Sequence, residues 1–196
     1  AKLSAFVKKH YPDTKSDLFA AFIERCNALC APNGYLGFLT PYVWMFISSY
    51  EKLRKYIIDE KTIITLIQFE YSAFEEATVP ICTFVLQNAH IDKKSPYLRL
   101  TAYRGGMEVQ RQKTIEALAT HDKNTYFETY ARGFEKIPSS PIAFWVSENF
   151  IAAYSNKKIA DYGFAKSGLQ TGDNDLFLKQ WYEVSLFNIA FGMQSK

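Results

Sequence analysis

Aromatic residues make up 16% of this sequence, more than core filling alone needs, and their side chains could stack on nucleobases or on a purine cofactor. Phe22 lies in the segment L-F-A-A-F-I-E-R, and Phe74 lies in S-A-F-E-E-A beside two carboxylates. Stacking a nucleobase on an aromatic side chain contributes about 1–3 kcal/mol per base. Each residue also has a structural alternative. Phe22 falls within an apolar helical stripe and can be a core residue, and Phe74 can fold back from its loop onto a sheet.

Other chemistries find little support in the residue patterns. Glu75 and Glu76 are paired carboxylates, but adjacent side chains usually point apart and no third ligand lies nearby, so no metal is expected. Residues 172–175 (G-D-N-D) are similar to a calcium loop that lacks the later Gly and Glu. The histidines, at positions 10, 90 and 121, have no ligand spacing. No G-x-S-x-G, P-loop or G-x-G-x-x-G motif supports a hydrolase, an NTPase or a dinucleotide-binding protein.

The composition is that of a globular protein able to bury a core. Of the 196 residues, 48% are hydrophobic and 22% are charged. A net charge of +3 permits a polyanionic partner without demanding one. No apolar run approaches the roughly 20 residues of a membrane span, and no signal peptide is recognisable. Cys26 and Cys30 lie four apart on one helical face, which disfavours a disulfide and fits a reducing cytoplasm.

Periodicity predicts alternating helices and strands over the first half of the chain. The first ten residues read as a polar loop, followed by a helix over 16–30 and a strand over 35–40 that is buried on both faces. A helix over 43–58 and a β-branched strand over 62–69 come next. The loop before a third strand at 79–86 is too short for a crossover helix, so this strand is predicted to be antiparallel to its predecessor.

The pattern is weaker after Gln87. We expect a linker over 88–96, a strand over 97–103, a short helix over 114–119, and a helix over 142–154 after the turn at Pro138–Pro141. The basic residues are scattered in pairs, and none can be singled out as a phosphate contact.

Residues 11–88 and 159–184 resemble adenine-N6 DNA methyltransferases of restriction–modification and phage-exclusion (BREX) systems. The likeness rests on K-S-D-L-F-A-A-F-I-E-R, on S-A-F-E-E-A-T-V-P-I-C-T and on G-L-Q-T-G-D-N-D. It implies an α/β fold: the distal part of a Rossmann-like S-adenosylmethionine-dependent methyltransferase sheet, parallel with one antiparallel strand, and then a mixed α+β connector. Residues 1–95 would belong to the catalytic domain, 96–158 to the connector and 159–196 to a target-recognition domain.

The resemblance also implies roles for the two phenylalanines. Phe22 would stack on the adenine of S-adenosylmethionine, and Phe74 would pack against the flipped-out target adenine. The Asn-Pro-Pro-Tyr motif and the glycine-rich cofactor loop of these enzymes do not occur in the sequence. We therefore assign no catalytic residue here and expect an inactive fragment of a longer enzyme, with half of the cofactor site.

The expected partners are double-stranded DNA, the remaining parts of the enzyme and proteins of a defence system, with no membrane. The expected compartment is the cytoplasm of a bacterium or archaeon. A second hypothesis is a non-catalytic DNA-binding or protein-interaction module that retains the methyltransferase scaffold. A methyltransferase for RNA or small molecules is disfavoured by the G-L-Q-T-G-D-N-D passage.

Overall fold

A computed structural model describes residues 2–70, 79–157, 159–164, 172–180 and 182–188. The chain divides into two compact units, Ala1–Asn156 and Lys157–Lys196. The division into catalytic domain, connector and recognition domain remains a prediction. Phe74 lies outside the described residues.

The first unit contains ten helices and strands of regular form among its described residues. In chain order they are α1 (Lys2–His10), α2 (Leu18–Leu29), β1 (Tyr35–Pro41), α3 (Glu51–Glu60), β2 (Thr62–Gln68), β3 (Ile81–Gln87), β4 (Lys94–Arg99), α4 (Gly106–Thr120), β5 (Tyr126–Tyr130) and α5 (Glu148–Ala153). Short 3₁₀ turns lie at Tyr42–Met45, Ser48–Tyr50 and Ala131–Lys136.

The strands form one mixed sheet in the order β1-β3-β2-β4-β5. The third strand lies between the first two and is antiparallel to both, so β1 and β2 point in the same direction. β4 is parallel to β2, and β5 is antiparallel to β4. The predictions that the first three strands share a sheet and that the third is antiparallel are both confirmed. The α/β fold class is confirmed with them.

The prediction of a loop at the N-terminus is wrong, because Lys2–His10 is helical. Val7 is buried, and the last turn carries basic side chains (Lys8, Lys9 and His10), which interact favourably with the negative end of the helix dipole. The lysines interrupt the apolar residues of this segment, so the helical pattern is hard to recognise in the sequence. Of the apolar residues Leu3, Phe6 and Val7, Val7 is buried, whereas Leu3 and Phe6 are more than half exposed.

The helix predicted over 43–58 begins only at Glu51. Two 3₁₀ turns precede it, and they bury Trp44, Met45 and Tyr50. The carbonyls of Trp44 and Ile47 accept hydrogen bonds from the Arg54 guanidinium, each at 2.7 Å. A continuous helix would need these carbonyls for its own backbone ladder, so the buried arginine favours the interrupted form.

The second half of the first unit differs most from the sequence prediction. β4 starts inside the predicted linker, and α4 begins at Gly106 rather than at residue 114. The predicted helix over 142–154 is confined to Glu148–Ala153. Residues 142–144, at the start of the predicted helix, instead form an irregular segment in which Ile142 and Phe144 pack in the core. The Ile142 N–H donates to the carbonyl of Met45 at 2.9 Å.

The main core lies on one face of the sheet. It combines side chains of the sheet, of α2 and α3, of the 3₁₀ turn at Tyr42–Met45 and of residues 142–144, among them Ile23, Trp44, Ile57, Leu66, Phe84, Tyr97 and Phe144. On the opposite face at β1, Tyr35 and Leu39 are 66% and 58% exposed. The prediction that this strand is buried on both faces is therefore wrong. Among the described residues, β1 pairs with β3 alone, which leaves it at the edge of the sheet.

In the second unit, the described residues form short helical turns at Ile159–Asp161, Asn174–Phe177 and Leu186–Asn188. The Asp173 carboxylate accepts a hydrogen bond from the backbone N–H of Leu176 at 3.0 Å. This aspartate thus caps the turn at Asn174–Phe177.

Candidate functional site

The carboxyl ends of three parallel strands meet at one edge of the sheet. β1 and β2 end here on either side of the start of β3, where Pro41 pairs with Ile81 and Gln68 with Cys82. β4 ends beside β2, and the backbone N–H of Leu100 donates to the carbonyl of Gln68 at 2.8 Å. Ligands of open α/β sheets bind at this carboxyl edge, which makes it the first place to look for a site.

Helix α2 brings Phe22 towards this edge. The helix contacts β1 and is joined to it by a short turn at residues 30–34. In that turn the Gly34 N–H donates to the carbonyl of Ala31, and the Asn88 side chain donates to the carbonyl of Cys30. Helix and strand therefore run in opposite directions, and the first half of α2, with Phe22, lies towards the carboxyl end of β1.

The two faces of α2 have different surroundings. Ala20, Ile23 and Asn27 are buried against the sheet, whereas Phe22 is 62% exposed. The core alternative for Phe22 is therefore wrong. The apolar stripe in the sequence is wider than the contact surface that the sheet offers, so periodicity alone could not separate Phe22 from Ile23, the next residue.

Phe22 instead lines an apolar groove between α1 and α2. The groove has a volume of about 310 Å³. Its wall consists of Leu3, Phe6, Val7, Tyr11, Leu18, Ala21, Phe22 and Arg25. Arg25 is the one formally charged residue of this lining, and the others present carbon surface or aromatic rings. An exposed aromatic side chain in an apolar groove suits a flat ring system with a poorly solvated face.

The segment that contains Phe74 starts and ends at the carboxyl edge. On the β2 side the Phe69 N–H donates to the carbonyl of Ile81 at 3.1 Å. On the β3 side the carbonyl of Pro80 accepts a hydrogen bond from the Tyr42 N–H at 3.1 Å. Both ends are therefore held at the edge of the sheet towards which Phe22 lies.

Glu70 and Gln110 are residues at this edge that the sequence analysis did not single out. Glu70 is 9% exposed, and its backbone N–H donates to Oε1 of Gln110 at 3.2 Å. Arg104 lies 4.0 Å from the Glu70 carboxylate but is itself highly exposed, so this ion pair is weak. Glu70 lies 34 and 40 positions from Arg104 and Gln110, and no motif in the sequence links these residues.

A row of polar side chains crosses the core face of the sheet beside the edge. The registers place Thr40, Cys82, Gln68 and Arg99 on neighbouring strands in that order. Burial raises the pKa of the Cys82 thiol to about 12, so the thiol is protonated and a poor nucleophile at neutral pH. The Arg99 guanidinium lies 4.1 Å from the ring centroid of Trp145, a cation–π contact.

Other candidate groups remain at the surface. Lys15 and Asp17 are exposed, and Asp17 occupies the N-cap position of α2 without a side-chain hydrogen bond to the helix backbone. Within the described ranges, no group of three or more His, Cys, Asp or Glu side chains is arranged to hold a metal ion. Every helix in that part of the chain is too short or too polar to span a membrane.

Comparisons with known proteins relate this chain to a group of enzymes. The family described as Eco57I restriction-modification methylase matches residues 1–74. The chain is 35% identical to the adenine-specific methyltransferase PglX of Lacticaseibacillus casei (strain Zhang), over 96% of this chain and 16% of the relative. It is also 35% identical to the adenine-specific methyltransferase BrxX of Escherichia coli O9:H4 (strain HS), over 94% of this chain and 15% of the relative.

The chain is homologous to a segment of these adenine-specific methyltransferases. It spans about one-sixth of the length of the curated relatives it matches. The sequence resemblance to adenine-specific methyltransferases is thereby confirmed. Among solved structures, the methyltransferase subunit of a type I restriction-modification system from Streptococcus thermophilus has a TM-score of 0.54 and 14% identity, over 70% of this chain and 33% of that one. This likeness supports the methyltransferase fold.

Proposed function

We propose that the chain forms the distal part of the catalytic domain of a DNA methyltransferase. The enzyme transfers a methyl group from S-adenosylmethionine to the exocyclic N6 of adenine in double-stranded DNA. The observation that carries the proposal is the exposed Phe22, which lies in an apolar groove near the carboxyl edge of the sheet. In the sequence this residue occupies the position that the resemblance assigns to cofactor stacking.

Phe22 serves as one wall for the adenine ring of the cofactor. A purine presents a flat face that is poorly hydrated, and the groove between α1 and α2 offers carbon surface around an exposed ring. The residues present therefore fit this part of the cofactor. When bound, S-adenosylmethionine supplies the activated methyl group on its sulfonium.

Phe74 contacts the other substrate, the target adenine of the DNA. Flipping an adenine out of duplex DNA costs a few kcal/mol of pairing and stacking, and an aromatic partner offsets part of that cost. The support is the resemblance around S-A-F-E-E-A, together with the hydrogen bonds that hold Phe69 and Pro80 at the carboxyl edge. Phe74 acts by positioning the base, and no proton transfer is assigned to it.

The amino nitrogen of adenine is a weak nucleophile because its lone pair is delocalised into the ring. Hydrogen-bond acceptors that bind the amino hydrogens localise this lone pair and favour direct attack on the methyl group. We assign none of the described side chains at the carboxyl edge as an acceptor for the amino hydrogens. In our proposal, the acceptors come from an Asn-Pro-Pro-Tyr motif elsewhere in a longer enzyme, in the cytoplasm of a bacterium or archaeon.

The test replaces each phenylalanine in turn in the protein encoded by the open reading frame that contains this chain. Phe22→Ala is expected to weaken S-adenosylmethionine binding by about 5- to 100-fold, the loss of one stacked ring. Phe74→Ala is expected to leave cofactor binding unchanged and to weaken duplex binding and methylation. Cofactor affinity is measured by calorimetry, and methylation by transfer of a radiolabelled methyl group to adenine-containing DNA.

Two results would contradict the proposal. The first is an equal loss of cofactor affinity in both variants, which would mean that Phe22 and Phe74 do not bind different ligands. The second is an unsubstituted protein that binds duplex DNA without methylating adenine. That result would favour the non-catalytic DNA-binding module.

A further inference from the structure

Gln110 is a nearly buried side chain whose hydrogen bonds join the ends of two parallel strands. It lies in the second turn of α4 and is 3% exposed. Its Oε1 accepts a hydrogen bond from the backbone N–H of Glu70, just beyond β2, at 3.2 Å. Its Nε2 donates to the carbonyl of Tyr103 and, at 3.5 Å, to the carbonyl of Leu100, both just beyond β4.

These contacts use both halves of the amide. One oxygen acceptor faces a backbone donor, and one NH₂ group faces backbone acceptors, so the side chain is matched to three backbone groups. Glutamate would keep the acceptor but lose the donors when ionised. Methionine would fill the same space without either. A residue whose shape and polarity are both used in this way holds its partners in a defined geometry.

The turn before α4 brings Gln110 to this position. Gly105 and Gly106 have φ values of +126° and +78°, a backbone region that side chains with a Cβ rarely adopt. At Gly105 an added Cβ would lie 2.7 Å from Cγ2 of Val109. The two glycines therefore allow the turn between β4 and α4, and the helix places Gln110 within hydrogen-bond distance of residues just beyond β2 and β4.

We propose that Gln110 is a positioning residue for the substrate-binding edge of the sheet. It fixes the backbone at Glu70 relative to the end of β4, so that the chain leaves β2 in the geometry needed to bind the target base. It acts through the backbone of Glu70 and touches no substrate. The inference rests on the proposed methyltransferase function and adds a residue from α4, outside the segment 1–74 that the Eco57I family matches.

The functional test compares Gln110→Met with Gln112→Met in the open reading frame that contains the chain. Gln112 lies on the same helix, is exposed, and donates to the Glu108 carboxylate at 3.2 Å, so it is a matched control. Gln110→Met is expected to lower kcat for DNA methylation by about 10- to 100-fold, because small displacements of a positioned substrate are costly. The KM for S-adenosylmethionine should stay within about twofold, since the Phe22 groove is not altered.

A second measurement follows the linkage itself in the 196-residue chain. The Glu70 amide proton is held by Gln110, so Gln110→Met is expected to speed its exchange with solvent by about tenfold or more, relative to Gln112→Met. If Gln110→Met does not fold, Gln110→Glu keeps the shape and the acceptor. It should then lower kcat relative to Gln112→Met, because the donors to the carbonyls of Leu100 and Tyr103 are lost, and keep the Glu70 amide protected.

The outcomes distinguish the two proposals. A folded Gln110→Met protein with unchanged kcat would overturn the inference, and so would equal rises in all KM values at unchanged kcat. An unsubstituted protein without methyl transfer to adenine would overturn the proposed function instead. In that case faster exchange of the Glu70 amide would still establish the structural linkage, and its absence would exclude it.

Discussion

Single residues on the same helix can have opposite energetic roles, and Phe22 and Ile23 are an example. The two side chains are adjacent in sequence, and both are apolar. Ile23 is fully buried in the main core, whereas the ring of Phe22 is 62% exposed in the groove beside α1. Burial on the core face contributes to stability, while an exposed ring contributes mainly when a ligand covers it.

This contrast gives a prediction for stability. Phe22→Ala is expected to change the free energy of unfolding by no more than about 0.5 kcal/mol, as for other exposed positions. Ile23→Ala, the matched control, is expected to cost about 2–5 kcal/mol because it leaves a cavity in the core. Urea titrations of the chain, followed by circular dichroism, measure both values. A loss of several kcal/mol for Phe22→Ala would show that this ring packs in the core.

The buried thiol of Cys82 predicts a dependence of stability on alkaline pH. Burial raises its pKa from 9.0 to about 12, so the folded state holds the proton more tightly than the unfolded state. The corresponding stabilisation is complete below about pH 9 and is lost as the pH rises towards 12, by up to about 1.4 kcal/mol per pH unit. Urea unfolding at several pH values from 8 to 11 should show a steeper decline for the native sequence than for Cys82→Ala.

Tyr50 and Tyr97 contribute in the same direction, because burial raises the pKa of both phenols. Their contribution is common to the native sequence and to Cys82→Ala, so the difference between the two slopes isolates the thiol. Parallel slopes would mean that Cys82 is accessible to water in the folded protein.

At the scale of elements, Arg54 joins α3 to residues 44–47 and 139–140, two segments outside the regular helices and strands. Its Nε donates to the carbonyls of Ser139 and Ser140 at 3.1 Å, and one terminal nitrogen donates to those of Trp44 and Ile47. The guanidinium is fully buried, and burial lowers its pKa. Arginine tolerates this because it remains charged and presents five donors in a fixed geometry.

Removal of these donors is expected to be costly. Arg54→Met removes four backbone contacts, of which those to Trp44 and Ser140 are buried and the others partly buried, and should reduce the free energy of unfolding by about 3 kcal/mol or more. Lys52→Met on the same helix is the matched control. Lys52 is 72% exposed and pairs with Asp13 at 2.6 Å, and such surface pairs contribute about 0–1 kcal/mol. Similar losses for the two variants in chemical denaturation would show that Arg54 does not join these segments.

At the scale of the whole molecule, the sheet presents an apolar face and edge at β1. Tyr35 and Leu39 are exposed on this face, and β1 pairs on one side only among the described residues. The groove around Phe22 likewise offers an aromatic wall and one charged side chain, Arg25. It contains neither a glycine-rich turn nor an acidic residue that could hold the ribose of a cofactor.

We therefore expect the 196-residue chain by itself to be catalytically silent. One wall of a binding site recovers little of the cost of ordering a ligand, so the affinity for S-adenosylmethionine should be too weak to detect by calorimetry. The sequence contains no Asn-Pro-Pro-Tyr motif to activate the adenine amino group, so no radiolabelled methyl group should appear on adenine-containing DNA. Measurable turnover by this chain alone would contradict the assignment of its catalytic groups to other parts of a longer enzyme.

Local patterns in the sequence were sufficient for the strands β1 to β3, for α2 and for the reversal at β3. These features depend on side-chain periodicity and on the short connection between Gln68 and Ile81, which leaves no room for a crossover helix. The resemblance to methyltransferases, and with it the roles expected for Phe22 and Phe74, also came from the order of residues alone. The described structure does not include Phe74, so its role stays a prediction.

Only the tertiary structure decided which face of α2 is exposed, where α3 begins, and what holds the carboxyl edge together. Each depends on contacts between residues far apart in the chain. Gln110 binds Glu70 across 40 positions, and Arg54 binds Ser139 across 85. A periodic pattern records that a side chain is apolar, but the packed sheet decides whether a neighbour covers it. For that reason Ile23 became core and Phe22 became the wall of a groove.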